Sequence, residues 1–338
     1  MKQMKQSTRI LLLCIALLLG CAMFGTAIVL QKKANAEVIP EAGSSANADR
    51  PLQHLSWEGK YCPVKRRIST LLVLGTDDIE GRYEKGPEDV TMFYNDVLSD
   101  LLLVLVFDED AKTVTPLQIN RDTMCDVFWL SVNGKVGGTV TEQIALAHTY
   151  GSGGQDSCEN TSNTVSRLLF DAPIDHYISF TMDAVPLMND LVGGVTLTLA
   201  EDAVEIDPDY QAGTTITLKG KDALRFVRYR DTALLDSNLP RMNRQRLYLQ
   251  SFLPAARASL AANSDLVIDA FKVLDPYLCM DMTVNDLSAY VERLAEYEIL
   301  PVLTADGQYE MGENVAEFYV DKGELFACAV KAFCLEDQ

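Results

Sequence analysis

Leu101–Phe107, LLLVLVF, leaves few folds open to this chain. In an extended segment successive side chains point to opposite faces, so an unbroken apolar run makes both faces apolar. Such a strand belongs in the middle of a sheet, with other layers packed on it. Two companions stand near it. Ile68–Leu74 is a β-rich run that ends in the turn Gly75-Thr76-Asp77-Asp78. Val114–Ile119 is another, and residues 108–112 between it and Leu101–Phe107 read as a hairpin turn. Tyr177–Phe180, Val195–Leu199 and Ile299–Leu303 read as further strands. Helical spacing marks Thr141–Tyr150, Ser162–Leu169, Met182–Leu191, Lys221–Phe226 and Leu239–Leu260, the last with a kink expected at Pro254. Leu266–Leu274, Val284–Tyr297 and about 322–333 add helices in the tail. This mixture predicts an α/β or α+β sheet with helices on its faces.

Leu11–Leu30 is a nearly continuous apolar run without a charge, preceded by Lys2, Lys5 and Arg9 and followed by Lys32 and Lys33. About 20 apolar residues suffice to span a bilayer. Basic residues on the N-terminal side set that end in the cytoplasm and the rest of the chain outside. A cleaved signal peptide is the rival reading, but the run is long for one and no small-x-small site follows it. Residues 31 to about 55 are rich in Ala, Glu, Ser, Asn and Pro and read as a stalk.

The chain carries a net charge of −19 and a pI near 4.5, which argues against nucleic acid as a partner. Against that background RFVRYRDTALLDSNLPRMNRQR, residues 225–246, holds six arginines and no lysine. Arginine presents a planar fork of donors that matches phosphate oxygens in pairs. Arg228 and Arg230 share a face if their segment is extended, while Arg241, Arg244 and Gln245 share one face of a helix. These residues make an anion pocket, or a solvated basic face tied to nearby acids. Acids cluster where strands end: Asp77 after the first, Asp100 at the start of the second, Arg121-Asp122 after the third. Two such carboxylates with a phosphate between them suit a hard cation of the magnesium type. As turn formers, Asp77 and Asp100 would need no ligand. The three histidines, His54, His148 and His176, come with no GxSxG, Walker or GxGxxG sequence.

Of eight cysteines, six follow the apolar run: Cys62, Cys125, Cys158, Cys279, Cys328 and Cys334. An even number in an oxidising place suits disulfides. Cys125 and Cys158 both flank the Arg121 strand end and are expected to bond to each other. The other four then pair in one of three ways. Six free thiols is the alternative.

From Ile68 to about Leu260 the chain resembles the LytR-CpsA-Psr family of Gram-positive cell-wall enzymes. The matching pieces are LLVLGTDD at 71–78, SDLLLVLV at 99–106, LQINRDT at 117–123, IDHYISF at 174–180, LVGGVTLTL at 191–199, LKGKDALRFVRYRDT at 218–232 and PRMNRQR at 240–246. The resemblance implies a three-layer α/β/α fold with a central mixed sheet, behind one N-terminal membrane helix. It divides the chain into a cytoplasmic tail (1–10), membrane helix (11–30), extracellular stalk (31–66), catalytic domain (67–262) and a C-terminal extension packed on it (263–338). It implies transfer of a phosphorylated glycopolymer from an undecaprenyl pyrophosphate carrier to peptidoglycan, assisted by Mg2+, at the outer face of the cytoplasmic membrane. Teichoic acid, capsule and other wall polysaccharides are all candidates for the polymer. Carried over by position, Asp77 and Asp100 match the magnesium-linked acids. Arg121, Arg228 and Arg230 match catalytic arginines that hold the pyrophosphate, joined there by Arg241 and Gln245. Asp236 falls where many members carry an acid. Two departures stand out: Leu98 and Gln143 occupy positions where many members have arginine and lysine. Hydrolysis of a polyprenyl pyrophosphate, or lipid binding without catalysis, are the other readings the same residues allow.

Overall fold

The computed structural model describes residues 51–77, 95–131, 134–231, 233–262, 273–313 and 315–335. The expected membrane helix lies outside them, and no described helix is long and apolar enough to cross a membrane. The strands are β1 (His54–Trp57), β2 (Lys60–Pro63), β3 (Ile68–Thr76), β4 (Ser99–Asp108), β5 (Thr113–Ile119), β6 (Met124–Leu130) and β7 (Val136–Gln143). A 3-10 segment at Ile144–Thr149, helix α1 (Gln155–Leu168), β8 (His176–Thr181), α2 (Ala184–Leu191), β9 (Val195–Thr198) and β10 (Thr215–Leu218) follow. Then come α3 (Lys221–Arg228), α4 (Asn238–Ala262), β11 (Leu278–Met280), α5 (Val284–Glu296), β12 (Glu298–Ile299), β13 (Gly307–Met311), β14 (Ala316–Val320) and α6 (Lys322–Phe333). They form two compact units. One comprises Met182–Tyr277 with Met282–Tyr297; the other holds the described residues up to Thr181, Leu278–Asp281 and those from Glu298 onward.

The larger unit is built on a mixed six-stranded sheet in the order β11-β8-β3-β4-β5-β12. As its composition requires, β4 is interior, antiparallel to both β3 and β5. Leu102, Val104 and Val106 are buried in one face, in one cluster with Val165 of α1, with Leu169 at its end and with Leu325, Phe326 and Phe333 of α6. On the opposite face Val73, Leu101, Leu103 and Leu105 are only half-buried. That face is therefore apolar yet incompletely covered. The C-terminal segment supplies both outer strands: Cys279 pairs with Ser179 at one edge, and Ile299 with Val114 at the other.

Three local readings are corrected by the structure. Thr141–Tyr150 is not a helix: the strand β7 runs through Gln143 and only a short 3-10 segment follows. Within the expected stalk, His54–Pro63 forms the hairpin β1–β2, because Leu55 finds full burial in the core. All six described cysteines are thiols, so the expected Cys125–Cys158 bond is not formed. Cys125 lies on β6 against Val127, Ala147 and Tyr150, whereas the Cys158 thiol, on α1, is within hydrogen-bonding reach of Cys279.

Asp108 closes β4 by accepting the backbone N–H of Asp110 (3.0 Å) and Ala111 (2.9 Å), with Lys65 Nζ at 2.9 Å. Burial alone would raise its pKa, but the Ala111 hydrogen bond and the Lys65 ammonium together bring it below the ordinary carboxylate value. A depressed folded pKa stabilises the protein above the unfolded pKa of about 4 and loses that contribution as pH falls through the folded value. Asp108→Asn is thus expected to cost about 1–2 kcal/mol at pH 7. The gap from wild type should narrow as pH falls below the unfolded value of about 4, as urea unfolding at pH 7 and in acid would measure.

Candidate functional site

Antiparallel pairing brings the end of β3, the start of β4 and the end of β5 to one side of the sheet. Gly75 pairs with Leu101 but Thr76 pairs with Ser99, so Asp100 is the extra residue of a β-bulge. A bulge of this kind re-aims a side chain at a strand terminus. Asp100 is buried there, while Asp77 is half-buried and its N–H donates to Leu98 O at 3.1 Å.

The turn after β5 is built by Asn120, whose Oδ1 accepts the Asp122 N–H at 3.0 Å and whose carbonyl accepts the Thr123 hydroxyl at 2.6 Å. Such an Asx turn reverses the chain within two residues. It turns Arg121 inward, where Nη1 donates to Asp100 Oδ1. Arg121 Nε lies 3.4 Å from Asp122 Oδ1 without hydrogen-bond alignment, and among the described residues this buried N–H has no acceptor. Asp122 is fully buried and accepts from Gln143 Nε2 at 3.4 Å and from the Tyr309 hydroxyl at 3.2 Å. Ser99 Oγ and Thr181 Oγ1 are also buried without partners among the described residues. Both belong to residues that pair with Thr76, from either side. The sheet therefore ends in a row of buried hydroxyls beside an ion pair with an unused donor. Native proteins rarely leave such groups unsatisfied, and each calls for a specific cause such as a catalytic role, a water or an ion.

The second arginine segment lies in the other unit. Ala223, Phe226 and Val227 bury one stripe of α3, which carries the helix through Arg228. The expected extended Arg228–Arg230 pair is corrected accordingly: Arg228 is the exposed last residue of α3, and the chain turns extended only at Tyr229. Arg230 Nε donates to Ser237 Oγ at 2.7 Å. Arg241, Arg244 and Gln245 do share the helix α4 and are buried. Arg241 forks onto Asn238 Oδ1 at 3.0 and 2.6 Å. Arg244 Nε donates to Phe226 O at 3.0 Å and Gln245 Nε2 to Val227 O at 3.4 Å. These two side chains thus satisfy carbonyls that the end of α3 leaves open. Burial lowers the Arg244 pKa, though a guanidinium keeps its charge at neutral pH. A cavity of about 340 Å³ in this unit is lined by Arg244 and Arg246 and not by Arg228, Arg230 or Arg241.

The LytR_cpsA_psr family profile matches residues 35–331. The chain belongs to this family. The LytR-CpsA-Psr relatives include the polyisoprenyl-teichoic acid–peptidoglycan teichoic acid transferase TagU of Bacillus licheniformis, 25% identical over 221 residues, 64% of this chain and 61% of that protein. The chain spans less than two thirds of the length of the curated relatives it matches, from 38% to 61%. Among solved structures, TagT bound to LI-WTA covers 78% of this chain and 89% of its own, with a TM-score of 0.58 and 22% identity. TagT with bound octaprenyl pyrophosphate lipid covers 78% and 88%, with a TM-score of 0.53 and 22% identity. At that identity the likeness is one of fold. Gln143, where the resemblance implied a departure, is held locally: its amide donates to Asp122 and, at 2.6 Å, to Ala316 O. Tyr309 and the hydroxyls of Ser99 and Thr181 were not legible as site residues, because only the folded pairing of β3, β4 and β8 brings those hydroxyls together and Tyr309 reaches Asp122 across 187 residues.

Proposed function

We propose that this protein transfers a phosphorylated glycopolymer from a polyprenyl pyrophosphate carrier to peptidoglycan, anchored in the cytoplasmic membrane by residues 11–30 with its catalytic part outside. In this reading the sheet is the central layer of an α/β/α domain. The observation that carries it is the buried Arg121, held on Asp100 with its Nε unused, at a sheet end lined by unpartnered hydroxyls. A terminal pyrophosphate oxygen is an acceptor that such a donor lacks. The half-covered apolar face of Leu101, Leu103 and Leu105 supports a polyprenyl chain as the rest of the ligand. The relatives, which include teichoic acid transferases and a structure with bound octaprenyl pyrophosphate, support the same chemistry.

The reaction is displacement at phosphorus. A hydroxyl of the acceptor sugar attacks the phosphorus that carries the polymer, and the polyprenyl phosphate leaves with the bridging oxygen. Arg121, Arg228, Arg230, Arg241 and Gln245 are the proposed pyrophosphate ligands; the guanidinium groups neutralise the charge gathering on the phosphoryl oxygens and the leaving group. Asp77 and Asp100 would hold magnesium. Among the described residues no group of three or more metal-ligating side chains forms a full cage. Two carboxylates fit a magnesium ion that draws its remaining oxygens from water and substrate phosphate. When bound, that ion would add charge neutralisation to what the arginines supply.

The test is a transfer assay with lipid-linked polymer across a magnesium titration. Asp77→Asn and Asp100→Asn are each expected to raise the half-saturating magnesium concentration on the order of ten-fold or more, as loss of one charged ligand implies. An unchanged magnesium response in both would show that neither acid holds the metal.

A further inference from the structure

Four of the six described cysteines meet in pairs that the sequence order does not suggest. Cys158 is fully buried on α1 and lies within hydrogen-bonding reach of the Cys279 sulfur on β11. The backbone fixes that meeting: Cys279 pairs with Ser179 across the sheet edge, and Gln155 Nε2, at the start of α1, donates to Met280 O at 3.4 Å. The second pair is independent of the first. Cys62 lies on β2 and Cys334 caps α6, with the Cys334 thiol 3.5 Å from Cys62 O and its sulfur beside that of Cys62. Backbone bonds from Lys65 N to Phe333 O (2.9 Å) and from Leu335 N to Pro63 O (3.2 Å) hold the two segments together. Cys125 and Cys328 are in neither pair.

We infer that the folded chain closes two disulfides, Cys158–Cys279 and Cys62–Cys334, when it meets a disulfide-bearing oxidant such as oxidised glutathione or a thiol oxidoreductase. In the first pair the half-buried Cys279 is the sulfur an oxidant can reach, and the enclosed Cys158 is the one that resolves. The Cys279 thiolate attacks the oxidant's disulfide, forming a mixed disulfide and releasing one thiolate of the oxidant. Cys158 loses its proton and attacks the Cys279 sulfur, expelling the second. The protein gives up two electrons and two protons, and the oxidant leaves as two thiols. A proton acceptor stands ready for Cys158. His148 Nδ1 lies 3.2 Å from Val97 O, so that nitrogen carries the hydrogen and Nε2 faces the Cys158 sulfur at 3.7 Å with its lone pair. Burial keeps His148 neutral, its pKa lowered to about 4. Hydrogen bonding from Cys158 lowers the Cys279 pKa, consistent with its role as the attacking thiolate. The first bond would pin the edge strand β11 to α1 behind the polar sheet end, since Ser179 Oγ lies 3.5 Å from Thr76 Oγ1. The second would tie the first described hairpin to the last helix.

The experiment takes the full-length chain in detergent, reduced and folded, and exposes it to oxidised glutathione. Acid quenching, alkylation in denaturant and mass mapping of proteolytic peptides follow. Four of the eight cysteines, Cys14, Cys21, Cys125 and Cys328, are expected to take up the alkylating reagent, and two cross-linked peptides should join Cys158 to Cys279 and Cys62 to Cys334. In Cys279→Ser the first cross-link should vanish, with the Cys62–Cys334 link retained. Links from Cys158 to Cys125, glutathione adducts on Cys279 that never resolve, or eight alkylated cysteines would overturn the inference.

Discussion

Arg228→Ala combined with Arg230→Ala is expected to lower polymer transfer on the order of a hundred-fold or more, with the fold unchanged. Each charge-assisted hydrogen bond to phosphate contributes about 1.5–3 kcal/mol, so each loss alone removes roughly ten-fold or more. The fold should tolerate the change because Arg228 is exposed at the end of α3 and Arg230 is half-buried. The carbonyls there are capped by Arg244 and Gln245, which remain. Lysine at both positions should restore only part of the rate, because an ammonium cannot fork onto two oxygens. Rates from single-turnover transfer and melting curves of the same samples separate the two effects. A double alanine variant that transfers at the wild-type rate would sink the assignment.

The second large effect is on stability. Arg121→Ala removes the cation from between Asp100 and Asp122, both buried. Breaking one side of a buried ion pair costs about 3–5 kcal/mol, because the remaining charge has lost its compensation. For a chain of this size that corresponds to a fall in melting temperature of very roughly 5–10 °C. Arg121→Lys should recover most of the stability and little of the transfer, since the ammonium restores charge but not the Nε donor. Equal recovery of both would mean that Arg121 serves the fold alone.

The parts of this protein that rest on local apolar pattern were legible. The strands β3, β4 and β5 follow from unbroken apolar runs and an acidic turn, and their antiparallel order then forces Asp77, Asp100 and Arg121 to one side of the sheet. The gathering of these strand ends was readable for that reason, but the bond from Arg121 to Asp100 was not. The hairpin β6–β7 was not, because VGGTVTEQ is largely exposed and lacks an apolar alternation. The arginine pair was misread as extended because the spacing of Arg228 and Arg230 fits a strand. The neighbouring stripe of Ala223, Phe226 and Val227, one face of a helix, governs the segment instead. Tyr309 and the cysteine pairs depend on residues far apart in sequence, where no local signal exists.

The two outer strands of the sheet have a consequence for how the chain is made. β8 and β5 lie inside the sheet only because residues 278–280 and 298–303 pair along them. Those residues come late in a chain of 338. While synthesis proceeds from the N-terminus, every earlier strand of the sheet exists before either border does. For that interval β8, nearly all buried in the finished protein, presents bare backbone donors and acceptors next to apolar side chains. The buried Arg121, the bulged acid and the hydroxyl row are all encoded by then. What the emerging chain lacks is protection from its neighbours, and the last segment delivers it.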